Sequence, residues 1–119
     1  MLLRSYTGTD MQSHSQEYED IPNGLVSVDL SEGAQFQGQS FDGISIRAIK
    51  PGTFSDFHNP PRRLMMITLS GEAEIGYGDG TTRRLKAGDV HVEDDTTGQG
   101  HPFRVVGDVP RVTLIIPLK

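Results

Sequence analysis

The 119 residues include no cysteine, and that single absence removes disulfide frameworks, thiolate metal sites and cysteine nucleophiles together. Histidines and carboxylates are left as the side chains able to hold a metal. No apolar run approaches the length of a membrane span, and Met1-Leu2-Leu3 is too short to form the apolar region of a signal peptide, so a cytoplasmic location without membrane contact is expected. Concentrated positive charge is missing as well. Asp and Glu number 16 against 11 Lys and Arg, for a net charge of -5, and the basic residues are scattered apart from the pairs Arg62/Arg63 and Arg83/Arg84. That distribution lacks the footprint of a nucleic-acid binder, and no nucleic-acid partner is expected.

Helical periodicity is also absent, whereas strand signals fill most of the chain. From Leu25 onward, short apolar stretches divided by Gly, Pro and Asp predict strands at roughly 25–30, 34–38, 44–50, 63–70, 72–77, 81–86, 89–93, 101–106 and 111–117. The clearest local unit is a hairpin in which Glu72-Ala73-Glu74-Ile75-Gly76-Tyr77 alternates polar and apolar residues and Gly78-Asp79-Gly80 turns the chain into Thr81-Thr82-Arg83-Arg84-Leu85. Regularly spaced strands joined by short turns favour a sandwich or barrel over any βαβ arrangement. Residues 4–24 are polar and aperiodic up to the turn signal Ile21-Pro22-Asn23-Gly24. They divide the chain into an N-terminal arm, 1–23, and one β domain, 24–119. The length suits a single core.

Two histidines on separate predicted strands carry most of the chemical signal. His58 follows Gly52 by six residues, and His101 closes the Gly-rich stretch Gly98-Gln99-Gly100. In a small barrel two such side chains can converge, where imidazole binds a metal, moves a proton or orients a ligand. The Gly-rich stretches have no strand and helix context for phosphate binding, and Ser70-Gly71 has none for a nucleophile elbow.

These positions resemble the cupin superfamily. Its first motif runs Gly, five residues, His-x-His, three or four residues, Glu, six residues, Gly; here Gly52, His58, Leu64 and Gly71 fall in register, with Pro60 in place of the second histidine and Leu64 in place of the glutamate. The second motif ends Gly-x-x-His, matched by Gly98 to His101 with two extra residues before it. A subgroup of small cupins carrying "HNAPRRQ" and "EDTTGQGH" is closer still, with matches from Tyr6-Thr7-Gly8, Asp10 and Gln12-Ser13-His14 through His58-Asn59, Pro61-Arg62-Arg63 and Leu69-Ser70-Gly71-Glu72 to Asp95-Thr96-Thr97-Gly98. The resemblance implies an all-β, cupin-type double-stranded β-helix (jelly-roll) barrel, a small organic ligand or substrate, and a homodimer.

Two of the four usual metal ligands are gone, so no cofactor is favoured. If a divalent metal is bound, His58 and His101 would hold it, helped by Asp56, Glu93, Asp94 or Asp95. The favoured alternative is an enzyme that uses His58 and His101 as acid and base in an isomerisation, cyclisation or elimination; a non-catalytic binding module is the other reading. Arg62 or Arg63 would clamp a substrate carboxylate and Asp95 would orient His101, while Leu64 and Met66, sharing a strand face with Thr68, would line an apolar pocket. His91, between Val90 and Val92, is expected to point outward, to the surface or a dimer contact. His14 is a site candidate within the arm.

Overall fold

The computed structural model of the protein describes residues 1–20, the backbone of 34–36 and 39–41, and residues 44–119. The strand expected at 25–30 lies outside the described residues. All regular structure among them is β. In chain order the strands are β1 (Leu2–Thr7), β2 (Ser13–Tyr18), β3 (Ala34–Phe36), β4 (Gln39–Phe41), β5 (Ser45–Ile49), β6 (Phe54–His58), β7 (Leu64–Ser70), β8 (Glu72–Gly76), β9 (Thr82–Leu85), β10 (Val90–Asp94), β11 (His101–Val106) and β12 (Arg111–Pro117). A six-stranded sheet runs β2-β1-β10-β7-β12-β5, a four-stranded sheet runs β6-β11-β8-β9, and β3 pairs with β4. The two larger sheets form the jelly-roll sandwich of a cupin, without closing into a continuous barrel. No helix among the described residues is long and apolar enough to cross a membrane.

The segment expected to be an arm is instead part of the sheet. β1 lies parallel to β10 in the register Leu3 to His91 and Ser5 to Glu93, and β2 returns antiparallel along β1. Leu3 and Ser5 are both 0% exposed. The strand carries no alternation signal because both of its faces are covered, Leu2 on one and Leu3 on the other. β2, with the sequence Ser-His-Ser-Gln-Glu-Tyr, has almost no apolar signal and is held by backbone pairing at the sheet edge. β6, also unforeseen, is a short edge strand, Phe-Ser-Asp-Phe-His, with Asp56 at its centre.

Each side of the six-stranded sheet has its own apolar set. Between the sheets Leu3 packs on Ile75, Tyr77 and Leu85, with Phe103 against them. On the opposite face Leu2, Met65, Val92, Ile116 and Leu118 form a second cluster, joined by Tyr18, Ile67, Val90 and Leu114. Burying one Leu or Val side chain fully is worth about 1.5–3 kcal/mol, so both faces contribute to the fold. Because the outer face already takes Val90 and Val92, the intervening residues His91 and Glu93 must point between the sheets.

Candidate functional site

A cavity of about 310 Å³ lies between the sheets. Its apolar wall comes from Leu64 and Met66 on β7, Ile75 on β8, Phe103 on β11 and Ile115 on β12, and its polar groups are Ser55, His58, Glu93, Arg47, Arg111 and Thr113. Strand parity explains the selection. Met66 stands beside His91 and Ile115, and Leu64 beside Glu93 and Pro117, so one face of three adjacent strands supplies one wall. The expected placing of Leu64 and Met66 at a pocket matches this arrangement.

His58 ends β6 opposite His101 at the start of β11, with ring centroids 5.1 Å apart. Gly100 permits this approach. It has φ +75°, and a Cβ there would run into the His58 carbonyl, so the two chains can close only over a glycine. His58 Nδ1 lies 2.8 Å from the Asp56 carbonyl oxygen, which can only accept, so Nδ1 carries the proton and donates it. Nε2 of the neutral ring is then left with its lone pair.

His101 does not line the cavity. It is 1% exposed and sits behind Glu93, with Nδ1 2.5 Å from Asp95 Oδ2 and Nε2 3.4 Å from Glu93 Oε1. Burial alone would lower its pKa, but the hydrogen bonds to Asp95 and Glu93 prevail and push it up to about 10. At neutral pH it is an imidazolium clasped by two carboxylates. Reciprocally, burial would raise the pKa values of Glu93 and Asp95, and the hydrogen bond from His101 outweighs it, so both are held below the usual carboxylate range. Asp95 also accepts from Ser13 Oγ at 2.6 Å, while Asn59 Nδ2 donates to the Asp95 and Thr97 carbonyls and pins the loop that carries it. Asp95 thus fixes the ring of His101, and at 0% exposure it is screened from any ligand.

His91 corrects the expectation of a surface residue, being 1% exposed beside Glu93. Burial lowers its pKa to about 4, so it is neutral. A neutral ring whose Nδ1 faces the Glu93 carboxylate at 3.6 Å keeps its proton on that nitrogen, leaving Nε2 to accept from Ser5 Oγ at 2.8 Å. Tyr77 OH then donates to Ser5 Oγ at 2.7 Å. A polar chain runs from Tyr77 through Ser5 and His91 to Glu93, His101, Asp95 and Ser13.

The arginines also differ from expectation. Arg63 pairs with Asp94, which Arg4 Nε also reaches at 2.7 Å, and Arg62 Nη2 donates to the Leu118 carbonyl at 2.8 Å. Neither lines the cavity, and Arg63 follows Asp94, which has the parity of Val92 on the outer face. The cavity's cations are instead Arg111 and Arg47, neither of which the motifs singled out. Arg111 is 3% exposed, its Nη2 donates to Thr68 Oγ1 at 3.1 Å, and its Nε has no hydrogen-bond partner. Its alternation with Thr113 and Ile115 was legible in the sequence, but Val112, Leu114 and Ile116 made either face of β12 a plausible interior. His14 stands on β2, with Nε2 2.9 Å from Asp10, outside the cavity.

The cupin fold raises the question of a metal, and the donor set answers against a fit. Pro60 and Leu64 occupy two of the four ligand positions, both nitrogens of His101 face carboxylates, and no group of three His, Asp or Glu side chains able to hold an ion occurs among the described residues. Asp56, Asp94 and Asp95 do not join His58 and His101 around a common point.

Fold and cavity together define the class: an all-β protein of the cupin type with a largely apolar pocket carrying few polar groups. Comparison with solved structures places the chain among proteins of the same architecture. It is similar to a sugar phosphate isomerase of the cupin superfamily from Silicibacter pomeroyi (18% identity, 65% of this chain and 50% of that one, TM-score 0.51) and to a DMSP lyase from Ruegeria pomeroyi (24% identity, 69% and 42%, TM-score 0.52). An uncharacterized conserved protein with a double-stranded β-helix domain from Klebsiella pneumoniae is similar over 83% of this chain and 81% of that one, at 23% identity and TM-score 0.52. The chain spans no more than half the length of the isomerase and the lyase. No family model matches the sequence, and no curated protein matches it significantly.

Proposed function

We propose that this chain binds a small organic molecule in the cavity and performs metal-independent acid–base chemistry on it, of the isomerisation, cyclisation or elimination type. The observation that carries the reading is that His58, with a free Nε2 lone pair, and Glu93, hydrogen-bonded to a buried imidazolium, line one largely apolar cavity. His58 Nε2 takes a proton from the ligand. A proton returns to another ligand atom from His101 Nε2 through Glu93, so an isomerisation balances with one proton removed and one supplied. His101 is a positioning and proton-storing residue in this scheme, and Asp95 holds its ring. The same fold serves an isomerase and a lyase among the similar structures, so the scaffold accommodates such chemistry. Kinship with the "HNAPRRQ" subgroup and assembly as a homodimer belong to the same proposal.

Incubation in D₂O with a panel of small carbonyl compounds, followed by proton NMR, tests it. Solvent deuterium should enter the ligand with the wild-type protein, and His58→Gln should slow exchange about 10²–10⁴-fold with the fold intact. Ligand binding without exchange in the wild type would instead support a non-catalytic binding module.

A further inference from the structure

We infer that the cavity receives a small amphipathic monoanion, a carboxylate with an apolar body, whose charged end is taken by Arg111. Arg111 is 3% exposed yet lines the cavity, and its Nε is without a hydrogen-bond partner although Nη2 is fixed by Thr68. A buried guanidinium with an idle donor is costly unless something answers it, and a carboxylate fits the guanidinium fork. Glu93 shares the cavity but no ion pair joins it to Arg111 among the described residues; its carboxylate faces His101 and His91. Arg47 adds a second cation at the exposed side, with no ion pair among the described residues.

The charge of the site limits the ligand. Glu93 and Asp95 offset His101 and Arg111, so the interior is near neutral before Arg47 is counted. One added negative charge is matched by Arg47. A dianion would meet the Glu93 carboxylate without a further cation. Beyond Arg111, the walls from Leu64, Met66, Phe103 and Ile115 suit the hydrocarbon body of such a ligand.

This inference deepens the proposed acid–base function by naming its substrate class and rests on the same cavity. The test titrates the intact protein with benzoate, hexanoate and phenylacetate at millimolar concentration, against benzamide and inorganic phosphate, by calorimetry and by NMR of the Arg111 Nε–H and Met66 methyl signals. At least one carboxylate should bind and shift both signals, benzamide should bind at least about tenfold more weakly than benzoate if benzoate is the one bound, and phosphate should leave the signals unmoved. Arg111→Gln should weaken carboxylate binding about 10- to 100-fold. Should that variant not fold, the Arg111 signal and the benzoate to benzamide ratio in wild type decide the matter. Absence of binding by all three carboxylates, equal binding of the amide, preference for phosphate, or unchanged binding by a folded Arg111→Gln would overturn the inference. His58→Gln should slow deuterium exchange about 10²–10⁴-fold while the carboxylates still bind, so binding without exchange in wild type would sink the acid–base reading alone.

Discussion

Replacing Asp95 by Asn removes half of the clasp around His101 and is the sharpest probe of the interior. The Asp95 carboxylate is 0% exposed, meets His101 Nδ1 at 2.5 Å and accepts from Ser13. Breaking a buried pair by removing one partner typically costs about 3–5 kcal/mol, since the remaining charge keeps its desolvation penalty. The pH dependence supplies an independent scale. His101 rises from 6.5 to about 10 on folding, an interval that converts to an upper bound of about 5 kcal/mol. Its folded pKa is raised, so the contribution is complete below about 6.5 and is lost as pH climbs through about 10. His91 acts on the other side: its folded pKa of about 4 lies below its unfolded value, the unfolded chain binds the extra proton between about 4 and 6.5, and stability falls as pH drops through that window. Glu93 and Asp95, with lowered values, add to the loss as pH falls further. Urea unfolding across pH should therefore peak near 6.5, and Asp95→Asn should flatten the alkaline limb while lowering the peak by several kcal/mol. A wild-type His101 that titrates near 6.5 by NMR, or an Asp95→Asn protein within about 1 kcal/mol of wild type, would refute the buried imidazolium.

Other perturbations address the scaffold. Leu3→Ala should cost about 2–5 kcal/mol in chemical denaturation, because Leu3 is fully buried against Ile75, Tyr77 and Leu85; a loss below 1 kcal/mol would return residues 2–7 to the status of an arm. Gly100→Ala should destabilise the protein and displace His58, read as a lowered melting temperature together with a changed His58 NMR signal, since its Cβ would meet the His58 carbonyl at φ +75°. Light scattering should give a dimer mass, and a monomer mass across micromolar concentrations would reject the proposed homodimer.

Several features could be read directly from the chain. The hairpin of β8 and β9 followed from alternation around Gly78-Asp79-Gly80, β7 and β12 from their apolar runs, and the fold from the resemblance to cupins carried by Gly52, His58, Gly71 and His101. Period-two counting put Leu64 and Met66 on one strand face because side chains of a strand alternate, while the pocket on that face was implied by the resemblance.

Which face of a strand looks inward, however, depends on what covers the other face, and neighbouring strands decide that. β10 has apolar residues at Val90 and Val92 that pointed to the interior by local pattern, yet they join Leu2, Met65 and Ile116 on the outer cluster and turn His91 and Glu93 inward. The same fact sends Asp94 outward to Arg63 and Arg4, removing Arg63 from the cavity, and leaves Arg111, on a strand with no motif, as its buried cation. His101 kept its motif position but not its expected exposure, because Glu93, on the preceding strand β10 but in the other sheet, stands in front of it. The sequence determined β5, β7 to β12, their alternation and the glycines that let them meet, but not β1, β2 or β6. Only the packing of both sheet faces decided which polar groups share the cavity, since burial and charge pairing are properties of residues far apart in the chain.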